Sequence, residues 1–495
     1  MSGNGISIAG LGSGLDTAKI VQQLVALERF PITALENQKK GVQDKISTLG
    51  TFKGLVRDLQ TKAKLLAVKK DFLTYRVNAS EEGVATFSAS GSATAGSHTL
   101  RVDSLAAVDR WAFNGVASRT ADLATGAGEQ ISFDIDGTNY SLTVQPDQSN
   151  IDEIAAAINT LAGDDVTASV VNTSTTGSPS YKLVLTANES GEDNRISNLV
   201  STVGGLSITW AAPDGDDVAQ SANNITVGTN AVAVIDGLRV ERETNDFGDV
   251  LAGVGITATA ADDTKTITFT VEPDNTAIKK KVKEFVDAYN KVVSFVNTQN
   301  TYTEDAGPSG DLFGDPILRS VRSSIDQALF GVDLATVEAD TAGYSTLSLV
   351  GIRRQNDGTL LVNESDLEDK LTSDIGAFAD LFVDLDGFDN GGALENTPGF
   401  DVDLTADSGL AAKLDRAIAK MFASTRVSEE LVVKGLFDNR SDTYGRDILR
   451  LNKQIDAKQV QLDRFEDALV LRFARLEELI GGLNAQGASL AAAFG

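Results

Sequence analysis

Apolar residues recur every seven positions along the C-terminal part of the chain. The repeat comprises Ile448, Ile455, Leu462, Leu469, Leu476, Leu483 and Leu490, with Leu451, Phe465 and Leu479 at intervening positions. Such a heptad repeat predicts a long helix that packs along a partner helix, as in a coiled coil. Because Gly481, Gly482 and Gly487 interrupt the last turns, we expect the end of this helix to fray.

A matching helical pattern occupies the N-terminal part of the chain. Asp16, or Ser13 with Asp16 three residues later, is positioned to cap a helix that carries Ile20, Leu24 and Leu27 on one face and that Pro31 interrupts. A second helix is predicted from the helical spacing of Val42, Ile46, Leu49, Phe52, Val56, Leu59, Ala63 and Leu66. Because neither end of the chain can bury its apolar face alone, we predict that the two ends pair as antiparallel helices.

The pattern changes near residue 77 to short alternating runs separated by Gly, Ser, Asp and Asn, which is typical of strands. Asp136-Gly137 predicts a hairpin turn, and Asn150 with Glu153 predicts the capping box of a short helix. Together with the flanking strands, these signals predict a ββαββ module at residues 129–200. Residues 275–300 then return to a helical pattern.

The length of 495 residues exceeds the size at which one hydrophobic core keeps growing, so several domains are expected. The patterns predict an α+β multidomain protein with paired terminal coiled-coil helices (legs), a mixed helical and β head domain, and two inserted β-rich domains. The predicted domains are a leg domain (1–45 with 450–495), a helix-rich domain with a small sheet (46–107 with 275–449), a β domain (108–128 with 201–274) and the ββαββ module (129–200).

The net charge of −27 is unevenly distributed along the chain. Acidic residues outnumber basic ones by 28 to 8 in residues 77–275, whereas basic residues outnumber acidic ones by 12 to 6 in residues 1–76. Residues 441–495 are nearly balanced, with 7 basic and 8 acidic residues. An acidic body repels nucleic acid and anionic membranes, while near-neutral ends tolerate close association. We therefore expect the ends to assemble, and we expect neither nucleic-acid binding nor membrane insertion.

Candidate chemistry is sparse. The chain has no cysteine and a single histidine, His98, which excludes disulfides, thiol nucleophiles and histidine-based metal sites. Gly10, Gly12 and Gly14 lack the further residues of a phosphate-binding loop, and residues 384–392 lack the ligand pattern of a calcium loop. We therefore predict no enzyme activity, no catalytic residue, no metal and no cofactor.

Two binding alternatives have weaker support. The lysines at 279–283 form one basic turn in an acidic protein, which is more typical of a solvated helix face than of a nucleic-acid site. Asp214, Asp216 and Asp217 are candidates for the paired acids of a glycosidase. However, the carboxylates are dispersed over polar loops, and only Trp111 and Trp210 are available to stack on sugars.

Five stretches of the chain carry motifs in a characteristic order. They are GLGSGLDTAKIVQQLVALERFP (10–31), TYRVNASEEGVATFSASGSATAGSHTLRVDSLA (74–106), AVAVIDGLRVERETNDFGDVLAGVGITATA (231–260), LFGDPILRSVRSSI (312–325) and LSLVGIRRQNDGTLLVNESDLEDKL (347–371). In this order and spacing they resemble the flagellar filament cap family, also called hook-associated protein 2. Residues 129–200 are similar to a module shared with flagellins.

The resemblance implies a homo-oligomeric plate at the tip of a bacterial flagellar filament, outside the cell, that retains exported flagellin and promotes its folding and polymerisation. The implied partners are further copies of the chain, flagellin, the hook-filament junction protein, the flagellar type III export apparatus and a dedicated export chaperone. The first fifteen residues lack a secretory signal pattern, which agrees with that export route. The residues expected to pack the legs and contact the filament are Ile20, Leu24, Leu27, Ile448, Ile455, Leu462, Leu469, Leu476 and Leu483.

Two other functions remain as alternatives. Another flagellar axial protein, such as a flagellin or a junction protein, would share terminal helices but lack the motifs at 231–260 and 347–371. A surface adhesin would bind glycans through the acidic β domains.

Overall fold

The structure is a computed structural model that describes residues 16–209, 221–304, 307–308, 310–332, 334–385, 387, 389–394, 409–423, 425–426 and 432–494. Two units with separate internal packing are present: one comprises Met1–Phe72 with Lys279–Gly495, and the other comprises Leu73–Ile278. We call them the helical unit and the β unit. The predicted boundaries of the four smaller domains remain predictions.

The helices of the described residues are, in chain order, α1 (Thr17–Glu28), α2 (Phe30–Ala67), α3 (Lys69–Phe72), α4 (Ile151–Ala162), α5 (Asn275–Gln299), α6 (Pro316–Phe330), α7 (Leu334–Ala339), α8 (Glu364–Ser373), α9 (Ile375–Asp380), α10 (Leu410–Phe422) and α11 (Leu436–Phe494). The strands are β1 (Tyr75–Ala79), β2 (Ala85–Ala89), β3 (Gly96–Ser104), β4 (Val108–Ala112), β5 (Glu129–Ile135), β6 (Thr138–Val144), β7 (Val166–Asn172), β8 (Tyr181–Ser190), β9 (Ser197–Ser201), β10 (Asn224–Thr226), β11 (Ala231–Ile235), β12 (Leu238–Arg242), β13 (Val254–Ala258), β14 (Ile267–Pro273), β15 (Tyr302–Thr303), β16 (Gly307–Pro308), β17 (Ile352–Arg354), β18 (Leu360–Val362), β19 (Thr425–Arg426) and β20 (Val432–Val433).

The helical unit is built around α2, which packs against α10 and α11. Its buried face carries most of the residues whose spacing predicted the helix: Leu49, Phe52, Val56, Leu59, Ala63 and Leu66. Asp16 caps α1 by accepting a hydrogen bond from the backbone N–H of Lys19 at 3.0 Å, as predicted. The break near Pro31 is also confirmed, since α1 ends at Glu28 and α2 begins at Phe30.

Helix α5 confirms the helical pattern predicted for residues 275–300, and Val282, Phe285, Tyr289, Val292 and Val296 are buried on one face. Its basic turn is held by the same chain. Lys279 forms an ion pair with Glu368, Lys283 donates to Glu364 at 2.7 Å, and Lys281 donates to the carbonyl of Asp71 at 2.7 Å. The prediction of a solvated helix face for this turn is therefore only partly correct, because neighbouring carboxylates and a backbone carbonyl bind three of its lysines.

The β unit contains a five-stranded sheet in the order β1-β14-β3-β11-β12, with the pair β13-β2 packed beside it over a shared apolar core. A second core lies under α4 and joins the three-stranded sheet β6-β5-β9 to the four-stranded sheet β10-β4-β8-β7. The predicted turn is present, with Asp136 and Gly137 at φ of 45° and 72°, and so is the capping box of Asn150 and Glu153. The two strands, the helix and the two further strands predicted for the ββαββ module are thus present, although β8 also pairs with β4, which lies outside the module.

A buried carboxylate ties distant parts of the second core together. Asp109 of β4 is 1% exposed. It accepts hydrogen bonds from the Trp111 Nε1 at 2.7 Å, the Ile196 N–H at 3.0 Å, the Asn224 Nδ2 at 3.1 Å and the Gly228 N–H at 3.0 Å. Since a buried carboxylate is costly unless its oxygens are satisfied, these four donors account for its position.

The prediction of an α+β chain with paired terminal helices is confirmed. Helix α11 continues through Gly481, Gly482 and Gly487 to Phe494, so the expected fraying is not seen in the structure. None of the helices among the described residues is long and apolar enough to cross a membrane. Gly10, Gly12, Ser13, Gly14, Asp214, Asp216, Asp217 and Trp210 lie outside the described residues, as does part of 384–392.

Candidate assembly interface

The two long helices of the helical unit meet at an aromatic cluster. Phe52 of α2 stacks on Phe295 of α5 with ring centroids 5.0 Å apart, and it contacts Phe437 at the start of α11 at 5.7 Å. The adjacent Lys53 donates to Asp438 at 2.6 Å, and this hydrogen bond holds the pKa of the Asp438 carboxyl below its usual range. These contacts fix the start of α11 against the middle of α2.

From this cluster α11 runs back toward the beginning of the chain. It contacts both α2 and α1, and α1 precedes α2, so the pairing is antiparallel. Because both helices rise equally per residue, the roughly 22 residues of α2 before Phe52 face about as many of α11, and α1 faces α11 from about residue 460 onward. Val21 of α1 is buried, as are Leu462 and Leu469 of α11. These three residues therefore mark the contact between α1 and α11.

The distal part of α11 is apolar and exposed. We call residues 470–490 the leg tip. Six of its large apolar side chains are 45% to 64% exposed. They are Val470, Leu471, Leu476, Leu479, Leu483 and Leu490. The α1–α2 junction exposes Leu27 and Phe30 in the same way, at 67% and 68%. At 3.6 residues per turn Leu476, Leu479, Leu483 and Leu490 share one face of α11, and a row of exposed apolar side chains is characteristic of a surface that binds another protein.

The base of α11 is anchored by a charged cluster. Asp315, which caps α6, is 8% exposed and accepts hydrogen bonds from the Ile317 N–H at 3.0 Å, from the Arg440 Nε at 2.9 Å and from the Tyr444 hydroxyl. Burial alone would raise the pKa of the Asp315 carboxyl, but hydrogen bonds from Tyr444 and Arg440 outweigh it and hold that pKa below its usual range. Burial, together with the hydrogen bond to Asp315, raises the pKa of Tyr444 to about 12. The exposed leg tip thus extends from a firmly held root.

The structure separates the predicted leg residues into three groups. Leu462 and Leu469 are buried, and Ile20, Ile448 and Ile455 are partly buried. The exposed residues are Leu24, Leu27, Leu476 and Leu483. The first part of the heptad repeat therefore faces the helix pair, and the last part faces outward. Contact of these residues with a filament stays a prediction.

Three features are not predicted by the sequence patterns. One is the exposed side chain of Phe30, and another is the Asp315 cluster, which joins residues 125 positions apart. The third feature is a groove on α11 with a volume of about 420 Å³, which we call the α11 groove and which is lined by Arg446, Leu449, Arg450, Lys453, Gln454 and Ala457. Its signal in the sequence is the helical spacing of the three cations around Leu449. No cluster of potential metal ligands occurs among the residues that the structure describes.

Comparison with known families gives two matches. The family described as the flagellar hook-associated protein 2 C-terminus matches residues 228–485, and the one described as the flagellar hook-associated protein 2 N-terminus matches residues 13–109. The A-type flagellar hook-associated protein 2 of Pseudomonas aeruginosa is 28% identical, with 99% of this chain and 98% of the relative covered. The flagellar hook-associated protein 2 of Escherichia coli K12 is 25% identical, covering 99% of this chain and 98% of the relative.

A solved structure supports the fold. The crystal structure of the flagellar cap protein FliD D1-D2-D3 domains from Escherichia coli matches with a TM-score of 0.60 at 20% identity, covering 80% of this chain and 99% of that chain. At this identity the likeness shows that the fold is shared.

Proposed function

Because the chain belongs to the flagellar hook-associated protein 2 family, we propose that it caps the distal end of a bacterial flagellar filament. The family consists of structural proteins and not of enzymes. In this proposal several copies form a plate outside the cell, and the paired terminal helices project from it as legs that contact the filament. The cap retains exported flagellin beneath it and promotes its folding and polymerisation, so filament elongation and motility depend on it.

The observation that carries this proposal is the exposed leg tip on a firmly anchored helix. Leu476, Leu479 and Leu483 recur at helical spacing and are 45%, 64% and 57% exposed. A single helix cannot bury such a stripe by itself, so the stripe is suited to contact helices of another protein. Flagellin and the hook-filament junction protein are the proposed partners. Export through the flagellar type III apparatus with a dedicated chaperone is proposed from family membership.

The glycan-binding alternative has less support from the β unit. Trp111 is 3% exposed and its indole N–H is committed to Asp109, so it offers no face for a sugar. Trp210, the other candidate, lies outside the described residues.

The proposal is tested by replacing Leu476, Leu479 and Leu483 with Ser in a strain that carries this chain as its only copy. All three side chains are exposed, so the variant should fold and be exported normally. We expect lost motility, short or absent filaments by electron microscopy, and flagellin released into the medium.

The matched control replaces three comparably exposed leucines outside the leg, Leu238, Leu349 and Leu361, with Ser; their exposure is 71%, 43% and 57%. This control should swim. Filaments of normal length in the leg-tip variant would contradict the proposed function. Electron microscopy of the purified protein adds a second criterion, since plates support a cap and filaments support the alternative of another axial protein.

A further inference from the structure

The α11 groove combines positive charge with exposed apolar surface. Leu449 is 62% exposed and lies between the exposed cations Arg446, Arg450 and Lys453. Among the residues that the structure describes, Arg450 pairs only with Asp447 of the same helix, at 2.9 Å. An exposed ion pair between residues three positions apart contributes little, so Arg450 can exchange this partner for a stronger one. The groove therefore suits an acidic segment that also carries large apolar side chains.

One segment of this chain has that composition. Residues 385–408 contain no lysine or arginine, and their six acidic residues are Asp386, Asp389, Glu395, Asp401, Asp403 and Asp407. They also contain six large apolar residues, Leu385, Phe388, Leu394, Phe400, Val402 and Leu404. In the described part of the segment, Leu385 and Leu394 are 47% and 76% exposed. We call residues 385–408 the acidic segment.

Both ends of the acidic segment are fixed at one place in the helical unit. The Asp384 N–H donates to the carbonyl of Ala67, the last residue of α2, at 3.1 Å. The Gly409 N–H donates to the carbonyl of Val383 at 2.9 Å. The segment therefore leaves and returns at the C-terminal end of α2.

The α11 groove lies far from that end. Fifteen residues of α2 separate Ala67 from Phe52, or about 22 Å, and thirteen residues of α11 separate Phe437 from Arg450, or about 20 Å. The path from the anchored ends to the groove is thus about 40 Å. A segment of 24 residues fixed at both ends reaches this distance only when each half is stretched to its limit of about 40 Å. Docking in the groove of the same chain would therefore require a completely extended loop.

We propose that the acidic segment of one copy docks in the α11 groove of a neighbouring copy. The interface rests on the proposed homo-oligomeric cap and gives it a specific contact within the helical unit. Opposite charges set the register, while Leu449 packs against an apolar side chain of the segment. Because exposed charges contribute, the contact weakens as salt increases.

The first test is cross-linking with isotope labels. Unlabelled and ¹⁵N-labelled full-length chains are mixed, allowed to assemble, and treated with a carbodiimide that joins lysine amines to carboxylates. Mass spectrometry should identify Lys453 joined to the acidic segment in peptide pairs of mixed isotope content. Pairs that always share one isotope would place the segment in its own groove and overturn the proposal.

The second test uses charge reversal and sedimentation velocity. Arg446→Glu, Arg450→Glu and Lys453→Glu together should weaken self-association at least tenfold, and adding Asp401→Lys, Asp403→Lys and Asp407→Lys in the same chain should restore it. The matched control reverses three other exposed cations of α11, Lys458, Arg464 and Arg472, and should assemble as the unaltered chain does.

The two proposals fail in different ways. Oligomers that form normally in the groove variant, or that lack the Lys453 cross-link, would refute the docking and leave the cap function intact. A chain that stays monomeric at all concentrations tested would also refute the docking. Normal filaments in the leg-tip variant would instead refute the cap function.

Discussion

Replacing Leu462 and Leu469 with Ala should detach α1 from α11 while the rest of the helical unit stays folded. The two leucines are 5% and 9% exposed. They lie in the part of α11 that the equal rise of the two helices places opposite α1. Truncation of a buried leucine costs about 2 to 5 kcal/mol, and a contact between two helices belongs at the lower end, about 2 kcal/mol per site. The sites are two helical turns apart, so their effects add to about 4 kcal/mol.

This loss of contact energy exceeds the stability that α1 has as an isolated helix. A helix of 12 residues is marginal in water without a partner, so α1 should open when its contact is removed. Since each 1.4 kcal/mol changes an equilibrium tenfold, the protection of the α1 amides should fall by up to about a thousandfold. Residues around Phe52, Val56 and Leu59 lie in the core of the unit and should keep their protection.

Hydrogen exchange measured by mass spectrometry resolves the two regions, with peptides from 16–29 and from 52–66 compared in the same sample. The control variant replaces Val460 and Leu471 with Ala, since these residues flank the same region of α11 but are 48% and 54% exposed. It should leave both peptides unchanged. Unaltered protection of α1 in the Leu462/Leu469 variant, or equal loss in both regions, would refute the assigned register.

Two further predictions concern buried polar groups. Asp109→Asn places an amide N–H against donors that now meet a carboxylate. We therefore expect urea denaturation to show a loss of about 3 to 5 kcal/mol in the unfolding free energy. A loss below about 1 kcal/mol would show that the four hydrogen bonds are not needed together. Tyr444 has its folded-state pKa raised from 10.0 to about 12, so its contribution is fully present below pH 10 and is lost as the pH rises through about 12. Tyr444→Phe should therefore lower the alkaline dependence of stability between about pH 10 and pH 12. Tyr289, whose pKa is also raised to about 12, maintains part of this dependence; an unchanged dependence would contradict this cause.

The features predicted correctly depend on neighbours in sequence. The turn at Asp136-Gly137 needs two adjacent residues that tolerate positive φ, and the capping box needs Asn150 and Glu153 three positions apart. The apolar face of α2 likewise follows from a spacing that a single helix imposes. Each of these patterns lies within a short stretch of sequence, so it predicts the local structure without knowledge of the rest of the fold.

The missed features depend on residues that are distant in sequence. Strand β8 pairs with β4, about seventy residues earlier, although the alternation of each strand is compatible with several partners. The Asp315 cluster brings Asp315 to Arg440 across 125 positions, and no local pattern distinguishes either residue from a surface charge. The heptad repeat predicted the contact of α11 but not its extent, because that extent is set by where α1 lies.

Because the contact with α1 covers only part of α11, the exposed leg tip is available to bind a growing filament. The four leucines of the leg tip that share one face, Leu476, Leu479, Leu483 and Leu490, are each about half exposed, so burying them would contribute about 1 kcal/mol each, or about 4 kcal/mol for one leg. This gain is comparable with the loss of translational and rotational freedom on association, so one leg alone binds weakly. In the proposed oligomer the legs are joined, and the release of one leaves it at high effective concentration near its site. A leg can therefore detach to admit a new subunit while the other legs keep the cap in place.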